Sequence, residues 1–135
     1  MGNERMISNK KLGSDFEREF CEILFNNGFW VHNFVQNHDG QPADVIAVKN
    51  RAAVLIDCKV CKNDKFPLSR IEENQKSSME LWEKRAKWQG WFALKTTRGT
   101  FMIPFFVLLC ELNNSTTVLN LSDIIRYSIP LEDWL

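Results

Sequence analysis

Apolar residues recur three and four positions apart at Phe16, Phe20, Ile23 and Leu24, and Asn26-Asn27-Gly28 then breaks the run. The spacing predicts an amphipathic helix beginning at Ser14 and ending at that Asn-Asn-Gly stop. Beyond it the period shortens to two. Residues 29–35 read as a strand, 36–42 as a polar loop, and 43–48 and 53–60 as two further strands. Lys49-Asn50-Arg51-Ala52, between the last two, is a hairpin turn. The loop over 61–68 is rich in Lys, Asn and Asp, and Ser69 with Glu72 forms a capping box for a second helix over 70–88. Residues 90–97 predict a strand, Arg98-Gly99 a turn, and 100–112 another strand, bent at Pro104. A polar loop over 113–117, a short strand over 118–121 and a helix from Ser122 complete the chain, with Trp134 placed to dock on the body. This order predicts an α/β sandwich with a mixed central sheet.

At 135 residues the chain suits one domain with a proper core. Residues 1–12 read as a flexible arm carrying Arg5, Lys10 and Lys11, and 13–135 as the single domain. No apolar run reaches the roughly 18 residues of a membrane span, and the polar N-terminus lacks the apolar core of a secretory signal. The expected compartment is therefore the cytoplasm. The formal charge is zero, which does not advertise a nucleic-acid partner. Its distribution changes the picture slightly. Residues 103–135 carry Arg126 alone against Glu111, Asp123, Glu132 and Asp133, so the earlier part of the chain holds a basic excess. Cys58 and Cys61 form a CxxC, but no second pair completes a zinc set, and Cys58 falls inside a strand rather than opening a helix. Buried thiols are the plain reading of both.

Charges inside the hairpin carry the candidate chemistry. Asp44 opens one strand, while Asp57 and Lys59 lie near the end of the other and share one face, leaving Ile56, Cys58 and Val60 for the opposite face. Charged groups in an apolar strand are costly unless paired or solvated. A metal ion is a natural partner for two convergent carboxylates, and hard Mg²⁺ prefers oxygen ligands. With an adjacent lysine this is a set suited to phosphodiester hydrolysis. The plain alternative is an ion pair between Asp57 and Lys59 on a half-exposed strand.

Read together, Gly13-Ser14-Asp15-Phe16-Glu17-Arg18-Glu19, Gly28-Phe29, Ala43-Asp44 and Ile56-Asp57-Cys58-Lys59 resemble the PD-(D/E)xK nuclease superfamily, and within it the Holliday junction resolvases. The first stretch resembles the opening helix of the archaeal resolvases. Asp57-Cys58-Lys59, Lys65-Phe66-Pro67-Leu68, Ile71 and Gln75 resemble the bacterial RecU type, as do Gly90-Trp91-Phe92 and Ile103-Pro104-Phe105. The resemblance implies a restriction-endonuclease-like mixed central sheet flanked by helices. It implies a homodimeric, Mg²⁺-dependent endodeoxyribonuclease, with Mn²⁺ as the other candidate ion, that resolves Holliday junctions or other branched DNA. By the same resemblance Asp44 and Asp57 are metal ligands, assisted by the backbone carbonyl of Cys58. Glu17 is a helix-borne acid approaching the metal, Lys59 positions the attacking water, and Gln75 is an accessory polar residue. The chain departs from the usual pattern in having Asp57 where resolvases usually carry Glu, and Ala43 where proline usually precedes the aspartate.

Each assignment has a competitor. Ser14-x-x-Glu17 is also a capping box, Glu19 and Glu22 are rival acids, and Gln75 suits a solvated helix face. Lys62, Lys65, Arg70 and Lys76 are either solvated charges or DNA-binding residues flanking the site. Trp82, Trp88, Trp91 and Phe92 serve either the core or a dimer contact. For the whole chain the alternatives are a restriction or repair endonuclease of the same fold, or a DNA-binding module with a decayed site.

Overall fold

The computed structural model describes residues 8–34 and 41–135. Helix α1 (Asn9–Asn26) is followed by β1 (Trp30–Asn33), β2 (Val45–Lys49) and β3 (Ala52–Val60), an antiparallel meander. Its β2–β3 turn holds Asn50 and Arg51 at φ of 51° and 69°, the left-handed pair that matches strand twist in a two-residue hairpin. The short strand β4 (Phe66–Pro67) and helix α2 (Glu73–Ala86) then lead to β5 (Gly90–Thr96), which lies parallel to β3. Next come β6 (Gly99–Pro104), α3 (Phe105–Asn113), β7 (Val118–Leu119), α4 (Leu121–Tyr127), β8 (Ile129–Pro130) and α5 (Leu131–Trp134). The main sheet runs β1-β2-β3-β5-β6-β8, with β3–β5 the one parallel pairing among the described residues; β4 and β7 pair separately. A mixed sheet flanked by helices is the expected class.

Alternation along the central strands divides the core in two. Ile56, Cys58, Val45, Ala47 and Ala93 meet Phe16, Phe20 and Leu24 of α1. The small residues Ala47, Cys58 and Ala93 let the helix sit close to the sheet. On the other face Leu55, Phe92 and Leu94 meet Met79 of α2 and Phe105 and Leu108 of α3. Phe20 is fully buried. Phe20→Ala is expected to cost about 3–5 kcal/mol, read as a lower urea midpoint at unchanged m-value.

Several boundaries differ from the sequence expectation. Helix α1 starts at Asn9, not Ser14, because Ser8 accepts the Lys11 N–H at 3.1 Å. Residues 9–12, expected in the arm, therefore belong to the helix; residues 1–7 lie outside the described residues. The Ser14–Glu17 capping box does not form, since both residues are inside α1. Helix α2 starts three residues late, with Glu72 and Gln75 forming its capping box in place of Ser69 and Glu72, and Lys87 ends it in a left-handed cap. The expected strand over 100–112 stops at Pro104. Beyond it Phe105, Leu108 and Leu112 fall on one side of α3, and Pro104, which donates no N–H, serves as its N-cap. Trp134 docks as expected, stacked on Phe29 and edge-on to Trp91.

Candidate active site

Strand β3 outruns β2. Val45 lies opposite Ile56, so residues 57–60 have β5 on one side and no β2 partner on the other. Asp44 occupies the notch. Its backbone N–H donates to the Ile56 carbonyl at 3.2 Å, and its own carbonyl accepts from Phe34 N–H at 2.8 Å. Its Oδ2 then accepts the Cys58 N–H at 2.8 Å, a carboxylate standing where the next ladder carbonyl would be. The N–H and C=O of a strand residue point to the same edge, so the Cys58 carbonyl faces this notch too. Asp44 Oδ1 accepts from Gln41 Nε2 at 3.2 Å.

Asp57 is on the α2 face and is 0% exposed, and among the described residues neither of its carboxyl oxygens has a hydrogen-bond partner. Lys59 Nζ stands 3.9 Å from its Oδ2. The same ammonium donates to Gln75 Oε1 at 3.2 Å, and that oxygen also accepts the Glu72 N–H at 3.1 Å. One side-chain oxygen thus caps α2 and fixes the lysine. Gln75 is not a solvated helix residue.

These groups border a cavity of about 220 Å³ lined by Glu17, Gln41, Asp44, Cys58, Lys59, Arg70, Glu72, Asn74 and Gln75. Asp57 is buried against Asp44 and Lys59 rather than exposed on the cavity wall. Gln41 and Asn74 escaped the sequence reading. Asn74 Nδ2 donates to the Gln41 carbonyl at 3.4 Å, tying the start of α2 to the segment before Asp44. The available signal was weak: Asn74 merely adjoins Gln75, and Gln41 precedes Asp44 by three residues in a polar loop.

Burial, then the neighbouring Asp44 carboxyl, push Asp57 well above the ordinary carboxylate range, with Lys59 pulling the other way. Glu17 is pushed up to about 7, first by burial and then by the Asp44 charge, again opposed by Lys59. A buried carboxyl whose two oxygens have no hydrogen-bond partner among the described residues, a second carboxyl and the Cys58 carbonyl facing the notch form an all-oxygen donor set. That set fits a hard divalent ion. Glu17 is not gathered into it: among the described residues no group of three or more His, Cys, Asp or Glu side chains converges on one point. It lines the same cavity from α1.

Both acids hold their proton more tightly folded than unfolded, so their contribution to stability is complete below the ordinary carboxylate range and is lost as pH rises through the shifted values. In chelator, melting temperature should fall as pH is raised from 4.5 toward 7, the window set by Glu17. Added Mg²⁺ should raise it more at the upper end than at the lower, because ligands must be deprotonated. Thermal melts across that range check both signs.

The other candidates separate. Lys62, Lys65 and Arg70 line a second cavity of about 440 Å³, between the start of α1 and the segment following β3. It adjoins the first through Cys58 and Arg70, which line both. Lys76 lines neither. Burial raises the Cys61 thiol to about 11 and holds Cys58 well above its usual range, so both stay protonated at neutral pH. Phe92 is core, Trp91 packs against Trp134 on the opposite face, and Trp88 is exposed, so the four aromatic residues form no single cluster.

The family profile described as archaeal Holliday junction resolvase matches residues 8–135. No curated protein matches the chain. Among solved structures, the Hjc Holliday junction resolvase of Archaeoglobus fulgidus, an archaeal hyperthermophile, superposes with a TM-score of 0.70 at 16% identity. The match covers 90% of this chain and 98% of that one, and at such identity it speaks to the fold. Among the described residues no helix is long and apolar enough to cross a membrane. With the family profile spanning the sheet, both helical layers and the notch at Asp44, the chain belongs to the archaeal Holliday junction resolvase family.

Proposed function

We propose that this protein is a Mg²⁺-dependent, homodimeric endonuclease that resolves four-way DNA junctions, with Asp44, Asp57 and the Cys58 carbonyl as the ion's ligands. The observation that carries this reading is the fully buried Asp57 carboxyl beside Asp44, without a hydrogen-bond partner among the described residues. When bound there, a divalent ion supplies charge neutralisation and Lewis-acid activation of the phosphodiester; Mn²⁺ satisfies the same oxygen donors.

The protein groups do the rest. Lys59, held by Gln75, orients the attacking water and offsets negative charge as it builds on the phosphate. Water's oxygen bonds to phosphorus while the bond to the leaving strand oxygen breaks. Glu17, with its proton held to about pH 7, lies on the cavity wall as a group able to exchange a proton near the reacting centre. Lys62, Lys65 and Arg70 offer phosphate contacts beside the site, and Lys76 a more distant one. Residues 9–135, with α1 beginning at Asn9, act as one nuclease domain. The homodimer follows from substrate symmetry, since two related cleavage sites call for two related active sites. Leu81 on α2, 55% exposed beside an apolar cavity lined by Phe34, Ile46 and Trp82, offers a surface for the second subunit.

Cleavage of a labelled four-way junction beside linear duplex and single-stranded DNA tests the reading. Paired nicks in the junction, stopped by chelator, are the expected result. Equal cutting of all three substrates would remove the junction assignment and leave a general nuclease. Gln75→Leu should lower junction cleavage roughly 10- to 100-fold through the unanchored lysine, with binding little changed in a gel-shift titration.

A further inference from the structure

The cavity beside the catalytic one has the dimensions and lining of a nucleotide site. Its volume is about 440 Å³, and it combines an apolar wall from Leu12 and Val60 with the cations Lys62, Lys65 and Arg70. A surface that only gripped phosphates would need the charges and not the wall. Arg70 is fixed in place: its Nη1 donates to the Val60 carbonyl at 2.6 Å, and its guanidinium lies 6.0 Å from the Phe66 ring. It stands at the boundary, lining both cavities. A strand with a phosphate in the first cavity can therefore run past Arg70 into this groove.

Gly13 supplies an independent observation. It sits inside α1, where glycine costs about 1 kcal/mol relative to alanine. No left-handed backbone requires it, and an added Cβ would meet no described atom within 4 Å. Among the described residues neither backbone nor packing accounts for glycine there. Gly13 does line the groove, and with open space at its Cβ position a bulky side chain there has room to reach into it.

We infer that the groove formed by Leu12, Gly13, Val60, Lys62, Lys65 and Arg70 receives one nucleotide of the cleaved strand, adjoining the scissile phosphate, with its base unstacked from the duplex. The three cations hold its phosphate and the apolar wall takes the base. The site rests on the junction-nuclease reading and makes it more specific: bases at the branch point have lost part of their stacking, so withdrawing one there costs less than within a duplex. It also gives the enzyme a place to discriminate between nucleotides.

The test places 2-aminopurine, in turn, at each position flanking the cut in a synthetic four-way junction, with Ca²⁺ in place of Mg²⁺ to hold the uncut complex. The inference expects fluorescence to rise at one position next to the scissile phosphate. Gly13→Phe, which fills the groove while removing a helix-interior glycine, should melt no lower than wild type, abolish that rise and slow cleavage about 10-fold. An abasic residue at the responsive position should slow wild type by a similar factor and add little to the Gly13→Phe defect. Absence of any responsive position, or losses from Gly13→Phe and the abasic site that simply multiply, would overturn the nucleotide site. Wild type failing to cut the junction at all is a separate result, which contradicts the underlying nuclease reading.

Discussion

Asp57→Asn is expected to slow junction cleavage by about a thousandfold while leaving junction affinity within a few-fold of wild type. The substitution keeps the shape of a fully buried side chain and removes the charge needed to hold a cation. It should also make the metal-free protein more stable at neutral pH. The wild-type carboxyl is buried and gives up its proton only at a cost that rises with pH, a cost that a side chain with no proton to lose avoids. Loss of activity with gain of stability is the signature of a residue kept for chemistry. Normal cleavage by Asp57→Asn would mean the site is misassigned. Cleavage assays, gel shifts and melts in chelator give the three readings.

Lys59→Met should lower cleavage by about a hundredfold or more, but its other effects run opposite to those of Asp57→Asn. Lys59 Nζ stands 3.9 Å from Asp57 and is only 12% exposed, so its removal leaves a buried acid without its cation. The metal-free variant should melt lower than wild type at neutral pH. Its affinity for Mg²⁺ should be equal to or above that of wild type, because a competing positive charge has gone. Lys59→Arg should not restore activity, since a planar guanidinium cannot replace a compact ammonium anchored on Gln75 Oε1. Calorimetric Mg²⁺ titration of Lys59→Met separates the two roles. A lysine serving only as a structural ion-pair partner would lower stability and spare the rate in the fraction that remains folded.

Which parts of this site were legible depends on how far apart the interacting residues lie. Asp44, Asp57 and Lys59 stood out because charges interrupt a strand alternation, and alternation fixes the face of each side chain. The notch that makes them a site was not legible. It arises because β2 begins only at Val45, opposite Ile56, while β3 runs on to Val60, a difference in strand length that depends on pairing. Gln75 is recognisable as polar and near the site, yet its place as the capping residue of α2 depends on the helix beginning at Glu73 rather than at 70. Glu17 was placed on the correct helix, but which acids meet depends on how α1 lies on the sheet.

The fold shows the same division. The hairpin, α2 and the docking of Trp134 were readable from period and turn residues. Helix α3 was missed because 101–112 is apolar almost throughout, and a run without polar positions shows no period. Only the missing N–H of Pro104 marks where strand gives way to helix. The start of α1 is not legible because the apolar spacing begins only at Phe16, while the cap that sets the start is Ser8, eight residues earlier.

The most direct measurement is a titration of the junction-free protein with Mn²⁺, followed by electron paramagnetic resonance of the free ion, for wild type, Asp44→Asn and Asp57→Asn. The account predicts saturable binding by wild type that each substitution weakens strongly, with Mg²⁺ competing for the same site. Equal binding by all three proteins would contradict it, because the ion would then lie elsewhere and the unpartnered carboxyl would need another explanation.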